Sequence, residues 1–126
     1  MKKCLLVVLL LTAASAQAGW IELNAAAKPG EAHYFDAETM RKENQFRKVW
    51  LLSSYEEKQK GEYHAVKTLY EFDCTLDKAR SITMLLYPDK KAAGRVIGAH
   101  HEDSPQWFGF SVNSIFQYIA ESVCAD

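Results

Sequence analysis

Tyr63-His64-Ala65-Val66-Lys67-Thr68-Leu69-Tyr70-Glu71-Phe72-Asp73-Cys74 alternates with a period of two. Val66, Thr68, Tyr70, Phe72 and Cys74 fall on one face, and Lys67, Glu71 and Asp73 on the other, interrupted only by Leu69. Successive side chains of a strand point to opposite sides, so the stretch predicts a half-buried strand. Its inward face ends in a cysteine, and that cysteine is the first fixed point of the fold.

Upstream, Phe46 to Tyr55 reads as a longer strand with Phe46, Lys48, Trp50 and Leu52 on one face and Val49, Leu51 and Tyr55 on the other. Apolar residues on both sides of its middle suit a central strand. Trp50 and Tyr70 are both expected to point inward. Glu56 to Glu62, charged and containing Gly61, predicts a hairpin loop. Trp20 to Leu23 and His33 to Asp36 predict short strands on either side of a turn at Lys28-Pro29-Gly30-Glu31, where proline fixes φ and glycine accepts a positive φ. A third short strand is expected near Thr39 to Arg41. Downstream, Ala79 to Tyr87 alternates again, with Ile82, Met84 and Leu86 on one side and Ser81, Thr83 and Tyr87 on the other. Pro88 to Gly94 predicts a loop, and Arg95 to Ala99 a last short strand.

The tail changes period. Val112, Ile115, Phe116, Ile119 and Val123 form the stripe of an amphipathic helix. Ser111 is the expected N-cap, since its hydroxyl can accept a bond from a free N–H of the first turn. Cys124 lies about 100° around the helix from Val123, at the edge of the buried stripe. The expected fold is α+β, an antiparallel sheet of about six strands with the C-terminal helix packed on one face.

The N-terminus states where the chain goes. Lys2 and Lys3 precede an apolar run from Leu5 to Leu11, and Ala16-Gln17-Ala18 places small residues where a signal peptidase reads them. Residues 1–18 are therefore expected to be a cleaved signal peptide, and 19–126 a single domain. The run is shorter than the ~20 residues of a membrane-spanning helix. Cys4 precedes the run, whereas a lipobox cysteine follows it, so Cys4 is expected to leave with the signal. Cys74 and Cys124 remain, in an oxidising compartment, and two cysteines allow one pairing. That disulfide would tie the helix to the sheet.

Charge excludes one class of partner. Removing Lys2 and Lys3 from 15 basic side chains leaves 13 against 16 acidic ones, a net charge near −3. A surface of that balance is not built for phosphate backbones, so nucleic acid is not expected.

Several of these residues together resemble a family. Trp20 just after the signal, Tyr34 with Asp36, Val49-Trp50, Tyr63 and Lys67 four apart, Glu71-Phe72-Asp73-Cys74, Trp107, and the terminal Val123-Cys124 are similar to the surface-adhesin protein E family. The resemblance implies a curved antiparallel sheet with a C-terminal helix tied to it by a disulfide. It implies export in a Gram-negative bacterium and, from the named adhesins, binding to host extracellular-matrix components. Those adhesins are lipid-anchored at the outer surface. This chain lacks the lipobox, which favours a periplasmic or secreted protein over a surface-anchored one.

Candidate chemistry is sparse. His100-His101-Glu102-Asp103 has the side chains of a metal site, but Zn²⁺ needs three or four ligands. In extended chain His100 and His101 face opposite ways, so His100 would pair with Glu102 and need help from His33 or His64. A polar loop is the expected reading; no metal or other cofactor is expected. Lys58, Lys60, Lys90 and Lys91 mark charged hairpin tips, where binding on a rigid sheet commonly sits. Trp107 and Phe108, after Pro105, form either a lid over the core or an exposed anchor. No Gly-x-Ser-x-Gly, His-Glu-x-x-His or glycine-rich phosphate loop occurs. The expected function is a non-enzymatic envelope binding module for a host or envelope protein, using Trp107, Phe108, Lys58, Lys60, Lys90 and Lys91. The alternative is a periplasmic inhibitor or accessory protein of an envelope enzyme. Homodimers through the open sheet face or through edge strands fit the same pattern. The intact mass of the exported protein is expected to correspond to a chain starting at Gly19; a mass retaining residues 1–18 overturns the signal-peptide reading.

Overall fold

The computed structural model describes residues 19–23 and 27–125. The expected signal peptide lies outside the described residues. Among them, eight strands form one antiparallel sheet: β1 Trp20–Glu22, β2 Glu31–Asp36, β3 Arg41–Glu43, β4 Phe46–Gln59, β5 Tyr63–Asp73, β6 Lys78–Tyr87, β7 Gly98–His101 and β8 Phe108–Gly109. The main order is β1-β2-β4-β5-β6-β7, with β3 paired to β4 and β8 to β6. One helix, α1 Ile115–Val123, follows. The α+β reading with a disulfide-tied helix is the observed fold, but the sheet has eight strands rather than about six. The short strand expected near Thr39 to Arg41 forms at Arg41–Glu43, and the piece with no sequence signal is β8, whose two residues are too few to show a period.

The central strand is longer than its pattern. β4 runs through the charged segment to Gln59, and the turn to β5 is confined to Lys60, Gly61 and Glu62. Its ladder with β5 is irregular between Ser54 and Gln59. Alternation fails there because that end projects as a solvated hairpin with no apolar face to bury. The first turn forms as read: Glu31 N–H donates to the Lys28 carbonyl (3.0 Å), and Gly30 takes φ 80°.

β6 contains a bulge. Leu69 pairs with Thr83 but Tyr70 pairs with Ser81, so Ile82 is an extra residue. An inserted residue reverses the alternation on one side of it. Ser81 therefore shares a face with Ala79 and Met84, not with Thr83 and Tyr87 as the unbroken pattern predicts.

The main core lies between sheet and helix. Phe35, Val49, Leu51, Phe72, Ala79, Ile119 and Val123 are buried together, with Tyr70, Phe108, Ile115 and Phe116 packed against them. Tyr70, Phe108 and Phe116 form an edge-to-face group with centroids 5.1–6.5 Å apart. Burial raises the Tyr70 hydroxyl pKa above its ordinary value.

The helix starts later than Ser111. Ser114 is the N-cap, its Oγ accepting from Gln117 N–H (3.3 Å), while Gln117 Oε1 accepts from Asn113 N–H (2.5 Å). Val112 falls outside the stripe and is 76% exposed. At the other end Cys124 is disulfide-bonded to Cys74 across 50 residues, with Cα atoms 5.6 Å apart. The buried Arg47 of β4 donates from Nε to the Val123 carbonyl (3.0 Å) and from Nη1 to the carbonyls of Asn44 (2.7 Å) and Phe46 (3.0 Å). The last turn has no basic residue of its own, so Arg47 supplies the cation that the helix C-terminus favours.

Replacing both Cys74 and Cys124 by Ala is expected to cost about 4 kcal/mol, from the freedom returned to a 50-residue loop. Arg47→Met is expected to cost about 2 kcal/mol by leaving buried carbonyls without a donor. The two losses share one helix end and should not add. Chemical denaturation of the three variants checks all of this.

Candidate binding face

The helix covers one face of the sheet; on the other, Leu52, Ala65, Tyr87 and Ala92 of the loop after β6 form a smaller buried cluster, with Trp20, Tyr34 and Leu85 packed against it. Cross-strand pairing places Tyr34 opposite Leu52, Trp50 opposite Leu69, Leu52 opposite Lys67, and Lys67 opposite Leu85 on this helix-free face. Trp50 is thus half-buried on this side, while Tyr70 points to the helix. An inward position for both was inconsistent with their registers: Val49 pairs with Tyr70, and Trp50 with Leu69.

A cleft of about 210 Å³ opens here, lined by Trp20, Asp36, Thr39, Trp50, Lys67 and Tyr87, with Leu85 in its floor. Lys67 Nζ lies 5.6 Å from the Trp20 ring centroid and 5.3 Å from that of Tyr87. Asp36 Oδ1 accepts from Glu38 N–H (3.0 Å), and its Oδ2 accepts from the Thr39 hydroxyl (2.7 Å). A larger open groove of about 460 Å³ lies beside the helix end, between Val112, Glu121 and Cys124.

Toward the end of the face nearest the disulfide, Arg80 binds Glu71 Oε1 through Nε (2.8 Å) and Nη2 (2.6 Å). Trp107 lies over the Arg80 guanidinium at 4.2 Å and stacks on Phe46 at 6.0 Å. A ring over an ion pair shields it from water and strengthens both contacts. Trp107 is half-buried as this cover, while its neighbour Phe108 turns the opposite way into the core beneath the helix.

The lysines occupy the opposite end. Lys58 pairs with Glu62 (2.9 Å), and Lys90 pairs with Glu56 (2.7 Å), tying the β4–β5 hairpin to the loop after β6. The Lys90 contact holds the Glu56 carboxyl below its usual pKa. Among the described residues, Lys60 and Lys91 make no ion pair. Ten residues of β4 separate Phe46 from Glu56, roughly 30 Å of strand, so Trp107 and the lysines form two separate patches. The loop holding Lys90 and Lys91 is shaped by Asp89, whose carboxylate accepts from Ala93 N–H (2.8 Å) and Gly94 N–H (2.9 Å). A Cβ on Gly94 would sit 2.9 Å from Asp89 Oδ1, so glycine allows the approach.

The histidines do not converge. His100 and His101 are the end of β7 rather than a loop; His100 pairs with Glu102 (3.2 Å), and His101 Nδ1 meets Thr83 Oγ1 (2.9 Å). His33 is held by Ser53 (2.8 Å) and Glu31 (3.3 Å), four strands away from β7, or roughly 19 Å. The Tyr55 carbonyl accepts from His64 (3.1 Å). Among the described residues, no three His, Cys, Asp or Glu side chains are grouped to hold a metal ion.

The sequence named Trp20, Trp50 and Tyr87 only as aromatics and Lys67 only within a motif. Their convergence depends on register across five strands, which no local pattern carries. The available signal was Lys67 itself, a charge flanked along β5 by Ala65 and Leu69 on the same face.

The chain is thus a disulfide-stapled two-layer domain with aromatic and cationic side chains around a cleft on its helix-free face. Residues 20–125 match the family model for surface-adhesin protein E, and the chain belongs to that family. No curated protein and no solved structure matches it. Membership gives a surface-adhesin-type role at the level of the family and implies an exported protein. Among the described residues, no helix is long and apolar enough to cross a membrane.

The N–H donors of Ala93 and Gly94 hold the Asp89 carboxyl below its ordinary pKa. A carboxyl lowered in the folded state lends stability above its unfolded value of about 3.9 and loses it as pH falls through the lower folded value. Amide exchange at Ala93 and Gly94 is therefore expected to rise, relative to the core of β5, as pH drops below about 4. Asp89→Ala is expected to show the fast exchange already at neutral pH.

Proposed function

We propose that the chain loses residues 1–18 on export and acts in the envelope or outside the cell as a non-enzymatic module that binds a protein, of the host matrix or of the envelope. The observation that carries this reading is the helix-free face: beyond the small cluster under Ala92, no helix covers it among the described residues, and it presents half-buried Trp20, Trp50 and Lys67. Large aromatics with a charged rim are the composition of recognition surfaces. The family match supports the adhesin-type class. The lysine patch at Lys58, Lys60, Lys90 and Lys91 contributes long-range attraction to an acidic partner, and Trp107 contributes its exposed edge at the far end. Phe108 acts indirectly, by anchoring the segment that presents Trp107.

Purified exported protein should bind saturably to an immobilised matrix protein or to a defined envelope protein, with albumin as control. Lys60→Glu with Lys91→Glu removes no ion pair seen among the described residues, and should weaken binding about tenfold while leaving the melting temperature unchanged. Absence of saturable binding to both classes overturns the reading.

A further inference from the structure

The cleft on the helix-free face contains a half-buried cation without a counter-ion. Lys67 rises from β5 between Trp20 and Tyr87, and no carboxylate among the described residues pairs with it, although Lys58, Lys90 and Arg80 each have one. The two rings steady the ammonium and displace water from it. An anion entering the cleft would meet that charge in a less screened setting than at an open surface.

The rim has the opposite character. Each Asp36 oxygen accepts one hydrogen bond from its own segment and retains a free lone pair. The cleft therefore asks for an acceptor at Lys67 and for donors at Asp36, in one ligand. Trp20 and Trp50, both half-buried, add apolar ring surface, which suits the flat C–H face of a sugar, while the buried Tyr87 ring backs Lys67. The volume of about 210 Å³ lies below the ~300–1,000 Å³ typical of sites for larger ligands, and suits a single ring.

We propose that this cleft binds an acidic pyranose of a glycan, such as a uronate or sialate ring. Its carboxylate pairs with Lys67, its hydroxyls donate to Asp36, and its C–H face rests on the aromatic side chains. An acidic peptide side chain supplies acceptors only and leaves Asp36 without the donor that a sugar hydroxyl brings. A neutral sugar leaves Lys67 unpaired. The assignment rests on the helix-free face being a binding surface, and it names a ligand chemistry for one part of it.

The test is titration of the exported protein with glucuronate, N-acetylneuraminate, glucose, acetate and a short glutamate peptide. Tryptophan fluorescence and amide chemical shifts of β4 to β6 are the readouts. At least one of the two acidic sugars should bind about tenfold more tightly than glucose, acetate or the peptide, the worth of one charge-assisted contact. Lys67→Gln should abolish the preference for acidic over neutral sugar, and Lys67→Arg should retain it. Equal binding of glucose, tighter binding of the glutamate peptide, or an unchanged preference in Lys67→Gln overturns the assignment. Retention of matrix or envelope proteins with no response to any sugar overturns the assignment alone and leaves the binding-module reading standing. A sugar response without protein retention does the reverse.

Discussion

The structure depends on how the end of a nine-residue helix is held to the sheet. A helix that short is marginal by itself in water. Here its C-terminus is fixed twice, covalently by Cys74–Cys124 and electrostatically by Arg47 on the Val123 carbonyl. With that end fixed, Ile119 and Val123 are placed on Phe72 and Val49, and the aromatic group of Tyr70, Phe108 and Phe116 closes the other end of the layer. One face of the sheet is thereby sealed. The other carries the smaller cluster of Leu52, Ala65, Tyr87 and Ala92 and, beside it, the cleft around Lys67.

Much of this was legible because the signals are periodic. β5 reads correctly from Tyr63 to Asp73, and its inward residues are those that meet the helix. Ile115, Phe116, Ile119 and Val123 mark the helix stripe. What failed was non-periodic. The Ile82 bulge reverses the face of Ser81 and has no local marker. The helix start was misplaced at Ser111 although Ser114-x-x-Gln117 is the better signal, since a serine followed three residues later by glutamine can satisfy N–H groups reciprocally. Val112 fits the helical spacing by coincidence, and Asn113, with φ 65°, separates it from the first turn.

The helix-free face was less legible for a different reason. Lys58, Lys60, Lys90 and Lys91 stand out in the sequence because charge runs mark turns, and the structure places them at one end of the sheet. Trp107 stands out as a tryptophan in a loop, but its partners Phe46 and Arg80 are distant in sequence. The neighbouring Phe108 looked equivalent and is not: it opens β8 and packs into the core under the helix, while Trp107, just before the strand, lies over Arg80. The cleft around Lys67 depends on five strands, β1, β2, β4, β5 and β6, lying in register, so only tertiary structure brings Trp20, Trp50 and Tyr87 to one lysine. Arg47 was missed similarly: a buried arginine acquires its purpose from the end of a helix 76 residues away.

The helix-to-sheet bond also bears on timing. Its second sulfur is supplied by Cys124, 50 residues after Cys74, so the bond waits on the strands and the helix that lie between them. In a thiol-reducing cytosol it would not persist. Until it closes, the short helix has lost its covalent anchor, and the sheet's main apolar face is covered less firmly. Closing this one bond therefore tightens the cover over the main core, and the firmness of the domain follows the redox state of its surroundings.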